Sequence, residues 1–422
     1  MEKAKSGRNR MFILVSLLIG LVVGAGITYA FLSLAQTSST PTGITTYEIG
    51  GALELTGDLA TWGVQGQGAA HMAIDEMNAL LNSTTSNIRF DLKVSDTKSV
   101  PDECLKVVQF FHSTYGINMV VGPYTSSEVS AIKSYSDANN IVICAISTSP
   151  TLSLPDYVFR FMAPDQLEAK GYARLAWNLG YRKVAIIYRN DAWGVSLENL
   201  FEENFKGYGG TVDKVQYAIG QSDYATEVAS LSSLVQNLEV SNNTAVLYLT
   251  FETDGVNILG HALQDSTLTQ VRWFLSDSIL TDALYPPKGS KALADYLIQT
   301  NTYGLRITGY TSAITSTYMN NYAKYGGPGT GEKGAWIYDA TWIAMLSILT
   351  AGTTNGAAVA KVIPKVASVY DGATGPEAID ANGDRLAQTY HVYKIAYNGT
   401  AYNFVDTGGS YDSATDILIL PH

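Results

Sequence analysis

IGGALELTGDLATWGVQGQGAAHMAIDEMNALL, residues 49–81, changes character twice along its length. Ile49, Ala52, Leu53 and Leu55 form a short apolar run suited to a buried strand, and Thr56-Gly57-Asp58 supplies turn chemistry that ends it. From Ala70 the apolar residues Ala73, Ile74, Met77, Leu80 and Leu81 recur at helical spacing, which predicts a helix burying that stripe against a sheet. Between them, ATWGVQG reads as a glycine-punctuated loop in front of the helix. Free backbone amides at a helix start attract polar ligands, and Gly63, Gly66 and Gly68 would allow close approach. Trp62 either meets such a ligand or covers the first turn as core, and the residues alone leave both readings open.

Downstream the strand-to-helix alternation continues. IRFDLKVSD is a strand, Pro101 to His112 a helix, INMVVG a strand, Ser126 to Ala138 a helix, and IVICAIS a strand. Strands alternating with helices of this length argue for a parallel sheet covered on both faces, with ligands received beyond the carboxyl ends of the strands. Two such ends carry hydroxyl-rich loops. In VVGPYTSSEV, Thr125 and Glu128 have capping-box spacing, and Ser126 and Ser127 follow. In ICAISTSPTL, Ser147, Thr148 and Ser149 precede Pro150. Hydroxyls in a row donate to a carboxylate and accept from an ammonium, although the same residues also serve plain turns and caps.

A second run of the same plan follows YVFRFMAPDQLEAKG. It takes RKVAIIYR, GTVDKVQYAI, TAVLYLTF and VRWFLSD as strands, with helices between them. Trp336 to Leu349 and Ala357 to Val369 read as two further helices. TYHVYKIAYNGTAYNFVDTGG alternates like an antiparallel pair. Two α/β lobes are therefore expected.

Upstream, Met11 to Leu32 carries no charge, is long enough to cross a bilayer as a helix, and follows Lys3, Lys5, Arg8 and Arg10. The next Lys or Arg is Arg89, so the amino terminus is expected in the cytoplasm and the rest outside. A cleaved signal ending near Ala35 is the alternative, the retained anchor the favoured reading. Residues 33–45 are rich in Ser and Thr and read as a flexible linker. Sequons at Asn82, Asn242 and Asn398 agree with an external location. The 422 residues carry a formal net charge of −11, which repels a phosphate backbone, so no nucleic-acid partner is expected. Cys104 and Cys144 are read as buried free thiols rather than a disulfide. No metal or cofactor is expected: the five histidines are scattered and GGPGTGEK lacks the Ser or Thr of a phosphate loop.

Taken in order, LTGDLATWGVQGQGAAHMAIDEMN, VVGPYTSSEV, ISTSPTL, YVFRFMAPDQ, KVAIIYRNDAWG, DYATEVASL and AIDANGDRLAQTYHVYKI resemble the Leu/Ile/Val-binding family of extracellular solute-binding proteins. The resemblance runs from about Thr46 to the carboxyl end. It implies the type I periplasmic-binding fold: two Rossmann-like lobes with parallel sheets joined by three crossings, here with an N-terminal transmembrane helix. Lobe I would be 46–164 and 303–364, lobe II 165–302 and 365–422, after a cytoplasmic segment 1–10 and the span 11–32. It further implies that Trp62 closes over the ligand side chain and that Ser126, Ser147 and Thr148 hold its carboxylate and part of its ammonium. Trp193 and Phe251 would line the second lobe, Asp277 would pair with the ammonium, and Asp165 falls near the first crossing. The acid is followed by Ser278, where family members often have glycine.

The function these residues imply is capture of a small solute, an amino acid or related amide, by hinge closure. Delivery would be to ABC permease subunits in the membrane, by a protein expected to be a monomer and not an enzyme. A ligand-sensing ectodomain is the alternative, although such a chain would be expected to continue into a signalling domain. An enzyme on this scaffold is the third reading, and no GxSxG context supports it.

Overall fold

The computed structural model describes residues 43–307, 313–325 and 331–422, so the span Met11–Leu32 and most of the linker lie outside the described residues. Among the described residues no helix is long and apolar enough to cross a membrane. The chain forms two compact units, one of residues 43–147, 153–162 and 313–386, the other of 148–152, 163–307 and 387–422.

The first unit is built on five parallel strands: β1 (Thr45–Leu53), β2 (Ile88–Asp96), β3 (Met119–Val121), β4 (Val142–Ala145) and β5 (Val158–Arg160). Their order is β2-β1-β3-β4-β5. The chain runs outward from β1 to β2 and then returns across β1 to β3, which makes the gap between β1 and β3 a topological switch point. Loops leaving these two strands diverge and open a crevice, the usual ligand position in such sheets. Every residue of β3 and β4 is buried, as continuous apolar strands between two helix layers require. The helix Ala335–Ala351 is buried along nearly its whole length and packs on helix Ala60–Ser83 and on β3 and β4.

In the second unit β6 (Lys183–Arg189), β7 (Thr211–Tyr217), β8 (Thr244–Leu249), β9 (Arg272–Leu275) and β10 (Tyr303–Arg306) are parallel. Two short segments of the first unit, β11 (Asp371–Gly372) and β12 (Gly375–Pro376), pair antiparallel. The second sheet is completed by antiparallel β13 (Thr389–Tyr397), β14 (Tyr402–Asp412) and β15 (Ile417–Ile419), in the order β15-β14-β13-β10-β9-β8-β6-β7. Its switch point falls between β6 and β8. Tyr172 ties this sheet together, its hydroxyl donating to Leu275 O and accepting from Leu305 N.

Several sequence expectations change. Trp62, Gly63, Gly66 and Gly68 lie inside the helix Ala60–Ser83, not in a loop before it. The helix can start early because these glycines let it approach its neighbours: a Cβ on Gly63 would run into the carbonyl oxygen of Glu54, and one on Gly66 would stand 2.6 Å from the Tyr124 hydroxyl. Gly63 and Gly66 are packing glycines, not openings for a ligand. The stretch 357–369 is two short helices, Gly356–Ala360 and Ile363–Ala367, the second restarting around Pro364. Lobe limits shift as well, because Tyr303–Arg306 pairs with β9 in the second unit whereas 365–386 belongs to the first. Asp380 to Arg385 is a tight turn in which the Asp380 carboxylate accepts from the amides of Asn382 and Asp384. Cys104 and Cys144 are free and buried, and all three sequon asparagines are exposed.

Candidate functional site

At the first unit's switch point the sequence places a tryptophan and an acid that the strand pattern conceals. Trp62, in the first turn of its helix, is 3% exposed and stacks on Trp336 at 5.8 Å with an interplanar angle of 13°. Tyr124, from the loop after β3, meets it edge-on at 5.5 Å. The ammonium of Lys333 sits 4.1 Å from the centre of the Trp62 ring, a cation–π contact of the desolvated kind. Backbone bonds fix Lys333 there: its amide donates to Gln65 Oε1 at 3.0 Å, and its carbonyl accepts from the Tyr124 hydroxyl at 2.9 Å.

Glu54 directly follows β1 and is fully buried. Its Oε1 accepts from the amides of Tyr124 (2.7 Å) and Thr125 (3.2 Å), so the loop after β3 is held by an acid from the neighbouring strand. The capping box at Thr125 forms in a variant manner. The Thr125 hydroxyl accepts from Glu128 N and donates to the Glu128 carboxylate, while its own amide is taken by Glu54. Burial pushes both carboxyls above their usual range, and the proximity of Glu128 raises Glu54 further. Glu54 stands in an otherwise apolar run, GALELTG, and an acid in a buried strand is the signal that would have singled it out.

Ser126 opens the helix Ser126–Asn139 and is buried. Ser147 is 1% exposed, and its hydroxyl has no hydrogen-bond partner among the described residues. The same holds for the indole N–H groups of Trp62 and Trp336. A buried donor left without an acceptor costs about 1–3 kcal/mol, and these three are among several such donors buried in the first unit.

In the second unit Trp193 occupies the first turn of helix Ala192–Gly207, capped by Asp191, whose carboxylate accepts from Gly194 N. Its ring lies 4.8 Å from that of Phe251, which follows β8. The Arg189 guanidinium covers the Phe251 ring at 3.8 Å and is paired with Asp191 at 2.6 Å and Asp254 at 3.3 Å. Asp277, after β9, is buried next to Ser278, whose hydroxyl donates to Thr250 O. Asp277, Asp165 and Glu168 all act on the buried Tyr390 phenol: burial raises its pKa most, followed by these three carboxylates. The Tyr390 hydroxyl has no hydrogen-bond partner among the described residues. Thr148 is buried, and its carbonyl accepts from Asp165 N.

Two sets thus stand apart by unit. Trp62, Ser126 and Ser147 fall in the first, while Thr148, Trp193, Phe251 and Asp277 fall in the second. The first set brings donors, and the second adds a single carboxylate, Asp277. Sequence reasoning missed Glu54, Lys333 and Trp336. Lys333 falls in the stretch that lacks the Ser or Thr of a phosphate loop, and Trp336 only begins an expected helix. A polar cavity of about 310 Å3, lined by Tyr181, Asn242 and Arg272 among others, opens in the second unit near the amino-terminal starts of its strands, and neither Trp193 nor Phe251 lines it.

The profile described as periplasmic binding protein matches residues 46–401. The chain is 25% identical over 407 residues to an uncharacterized protein of Methanocaldococcus jannaschii, covering 91% of this chain and 94% of that one. A Leu/Ile/Val-binding protein homolog of Brucella suis is 25% identical over 255 residues, 57% of this chain and 60% of that protein. The crystal structure of a leucine binding protein from Thermotoga maritima superposes with a TM-score of 0.70 at 19% identity, covering 89% of this chain and 99% of that one. With a match spanning most of its length, the chain belongs to the periplasmic binding protein family.

Proposed function

We propose that this protein is the extracellular solute-binding component of an ABC importer, held at the membrane by Met11–Leu32. It captures an amino acid or related amide by hinge closure of its two lobes and presents it to the ABC permease. The observation that carries this reading is the trio of buried donors without acceptors, Trp62 Nε1, Trp336 Nε1 and Ser147 Oγ, of which Trp62 and Ser147 are ligand contacts implied by the family resemblance. A carboxylate supplies acceptors to such groups, and the family resemblance implies the same role for Ser126 and Thr148. The carboxylates of the second unit, Asp277 foremost, suit an ammonium. Trp193 and Phe251 give that unit an apolar wall.

Family membership supports the solute-binding role. The names of the Brucella and Thermotoga proteins favour an aliphatic amino acid, while the aromatic residues favour any solute with a flat or apolar body. No covalent chemistry is needed, because differential affinity for the closed form drives closure. Thermal denaturation of the full chain against a panel of amino acids and amides tests this. A true ligand at 100-fold its dissociation constant adds about 2.7 kcal/mol. No shift with any member of the panel would remove the main support.

A further inference from the structure

We infer that the second unit carries a separate binding site for a small oxyanion, a phosphate or a carboxylate, in the polar cavity at the amino-terminal ends of its strands, with Arg272 as the residue that recognises it. The site is independent of solute capture. It stands at the opposite end of the sheet from the loop that bears Phe251, and β8 alone puts six residues, about 20 Å, between the two.

Four stretches of chain meet there. Tyr181 precedes β6, Asn242 and Thr244 stand at the start of β8, Arg272 is the first residue of β9, and Gln299 to Asn301 lead into β10. The cavity of about 310 Å3 has the size of a small-molecule site but not its usual apolar wall, since hydroxyls and side-chain amides make up nearly all of its lining. Arg272 is the one charged residue among the described residues that line it. Such a lining selects a hydrophilic guest, and its single charge selects an anion.

The contacts of Arg272 within the chain leave its hydrogen-bonding capacity unused. Its half-buried guanidinium lies 4.3 Å from the centre of the Tyr303 ring and 5.8 Å from that of Tyr181. An aromatic contact engages the charge without satisfying the N–H groups, whose planar fork meets a carboxylate or phosphate through two parallel hydrogen bonds. Among the described residues no carboxylate pairs with Arg272, and its Nε is buried without a hydrogen-bond partner. Acids on the neighbouring loops have other partners: Glu239 pairs with Lys183 at 2.7 Å, and Asp265 accepts from the amides of Thr267 and Leu268. The Tyr181 hydroxyl is the acceptor beside the guanidinium, and it is neutral: burial raises its pKa above the usual value, against the pull of Arg272. A guanidinium withdrawn from water with only a neutral oxygen beside it attracts an anion more strongly than a hydrated surface base does.

Isothermal titration of the full chain at constant ionic strength, with inorganic phosphate in one arm, citrate in the other and chloride as the balancing anion, tests the assignment. At least one of the two is expected to bind. Arg272→Gln should weaken that binding about ten-fold or more, and Gln299→Glu, at an exposed position on the cavity wall, about three-fold or more by setting a negative charge in the path of the guest. Circular dichroism checks the fold of both variants, and Gln299→Glu carries the test should Arg272→Gln unfold. Heat from phosphate alone assigns a phosphoryl guest, and heat from citrate alone a carboxylate one. Silence from both anions, or an affinity unchanged in either folded variant, would overturn the site. The amino-acid panel reads solute capture separately, because Arg272 lies outside the residues assigned to it.

Discussion

The two units contain the same tripeptide at the same place in the fold, and they treat it in opposite electrostatic ways. Trp62-Gly63-Val64 opens the helix after β1, and Trp193-Gly194-Val195 opens the helix after β6. In both, the tryptophan meets an aromatic ring from across the switch point, Tyr124 at 5.5 Å and Phe251 at 4.8 Å. In both, the glycine lies on a carbonyl at the end of the preceding strand, that of Glu54 in one unit and of Arg189 in the other. The backbone solution is repeated while the charge at its base is reversed. The first unit buries an acid, holds it on the amides of Tyr124 and Thr125, and raises its pKa by burial and by the nearby Glu128. The second buries a base and neutralises it with Asp191 and Asp254. Packing geometry is therefore what the fold repeats, and charge is what each unit sets for itself.

The largest effect should come from removing the charge that has fixed partners. Arg189→Met strands Asp191 and Asp254 in a buried site and is expected to cost about 3–5 kcal/mol in urea denaturation. Glu54→Gln keeps an oxygen for the amides of Tyr124 and Thr125, and is expected to cost about 1 kcal/mol or less. Equal costs would mean that the Glu54 pair is fully ionised and that the contrast between units is wrong.

Next comes the shared geometry. Gly63→Ala and Gly194→Ala each force a methyl group against a backbone carbonyl, and each is expected to lose about 1–3 kcal/mol by the same measurement. A loss at one and not the other would show that only one helix start is packed to contact.

Much of this arrangement was legible beforehand. Periodicity placed the strands of both units because alternation between buried strands and amphipathic helices survives without tertiary information, and Ile88–Asp96 matches the expected strand at both ends. The capping box at Thr125 was legible because it is local. The early start of the helix at Ala60 was not, because glycines in TWGVQGQG argue locally for a loop, and only the contacts of Gly63 with Glu54 and Gly66 with Tyr124 explain them. Trp62 and Ser147 stand out locally, as an aromatic near a helix start and a hydroxyl at a strand end, and the family resemblance implies a ligand contact for both. Lys333 and Trp336 do not stand out, because their bearing on Trp62 depends on a contact between residues 62 and 333 that no periodicity encodes.

The contrast sharpens at a second buried acid pair of the first unit, where one hydroxyl shows which group holds the proton. Thr374 Oγ1 lies 2.8 Å from Asp339 Oδ2, 2.6 Å from Glu377 Oε1 and 2.9 Å from the donating Arg385 Nη1. A hydroxyl has a single hydrogen, which serves only one of the two carboxyls, so the other must donate to Thr374. Asp339 already accepts from the amides of Ala373 and Thr374 and from the Tyr370 hydroxyl, which favours the ionised form there. The proton thus belongs on Glu377, whose pKa is pushed up to about 8, first by burial, against the pull of Arg385 and with the nearby Asp339 adding to the rise. The native state then holds a proton that the unfolded chain releases above its ordinary value of 4.5. This contribution is fully present below that value and is lost as pH rises through about 8. Glu377→Gln mimics the protonated form and is expected to change stability by only about 1 kcal/mol at pH 5, yet to flatten the decline between pH 5 and pH 8. Urea midpoints across that interval decide the matter, since an undiminished slope in Glu377→Gln would place the titrating proton elsewhere, the Glu54 and Glu128 pair first.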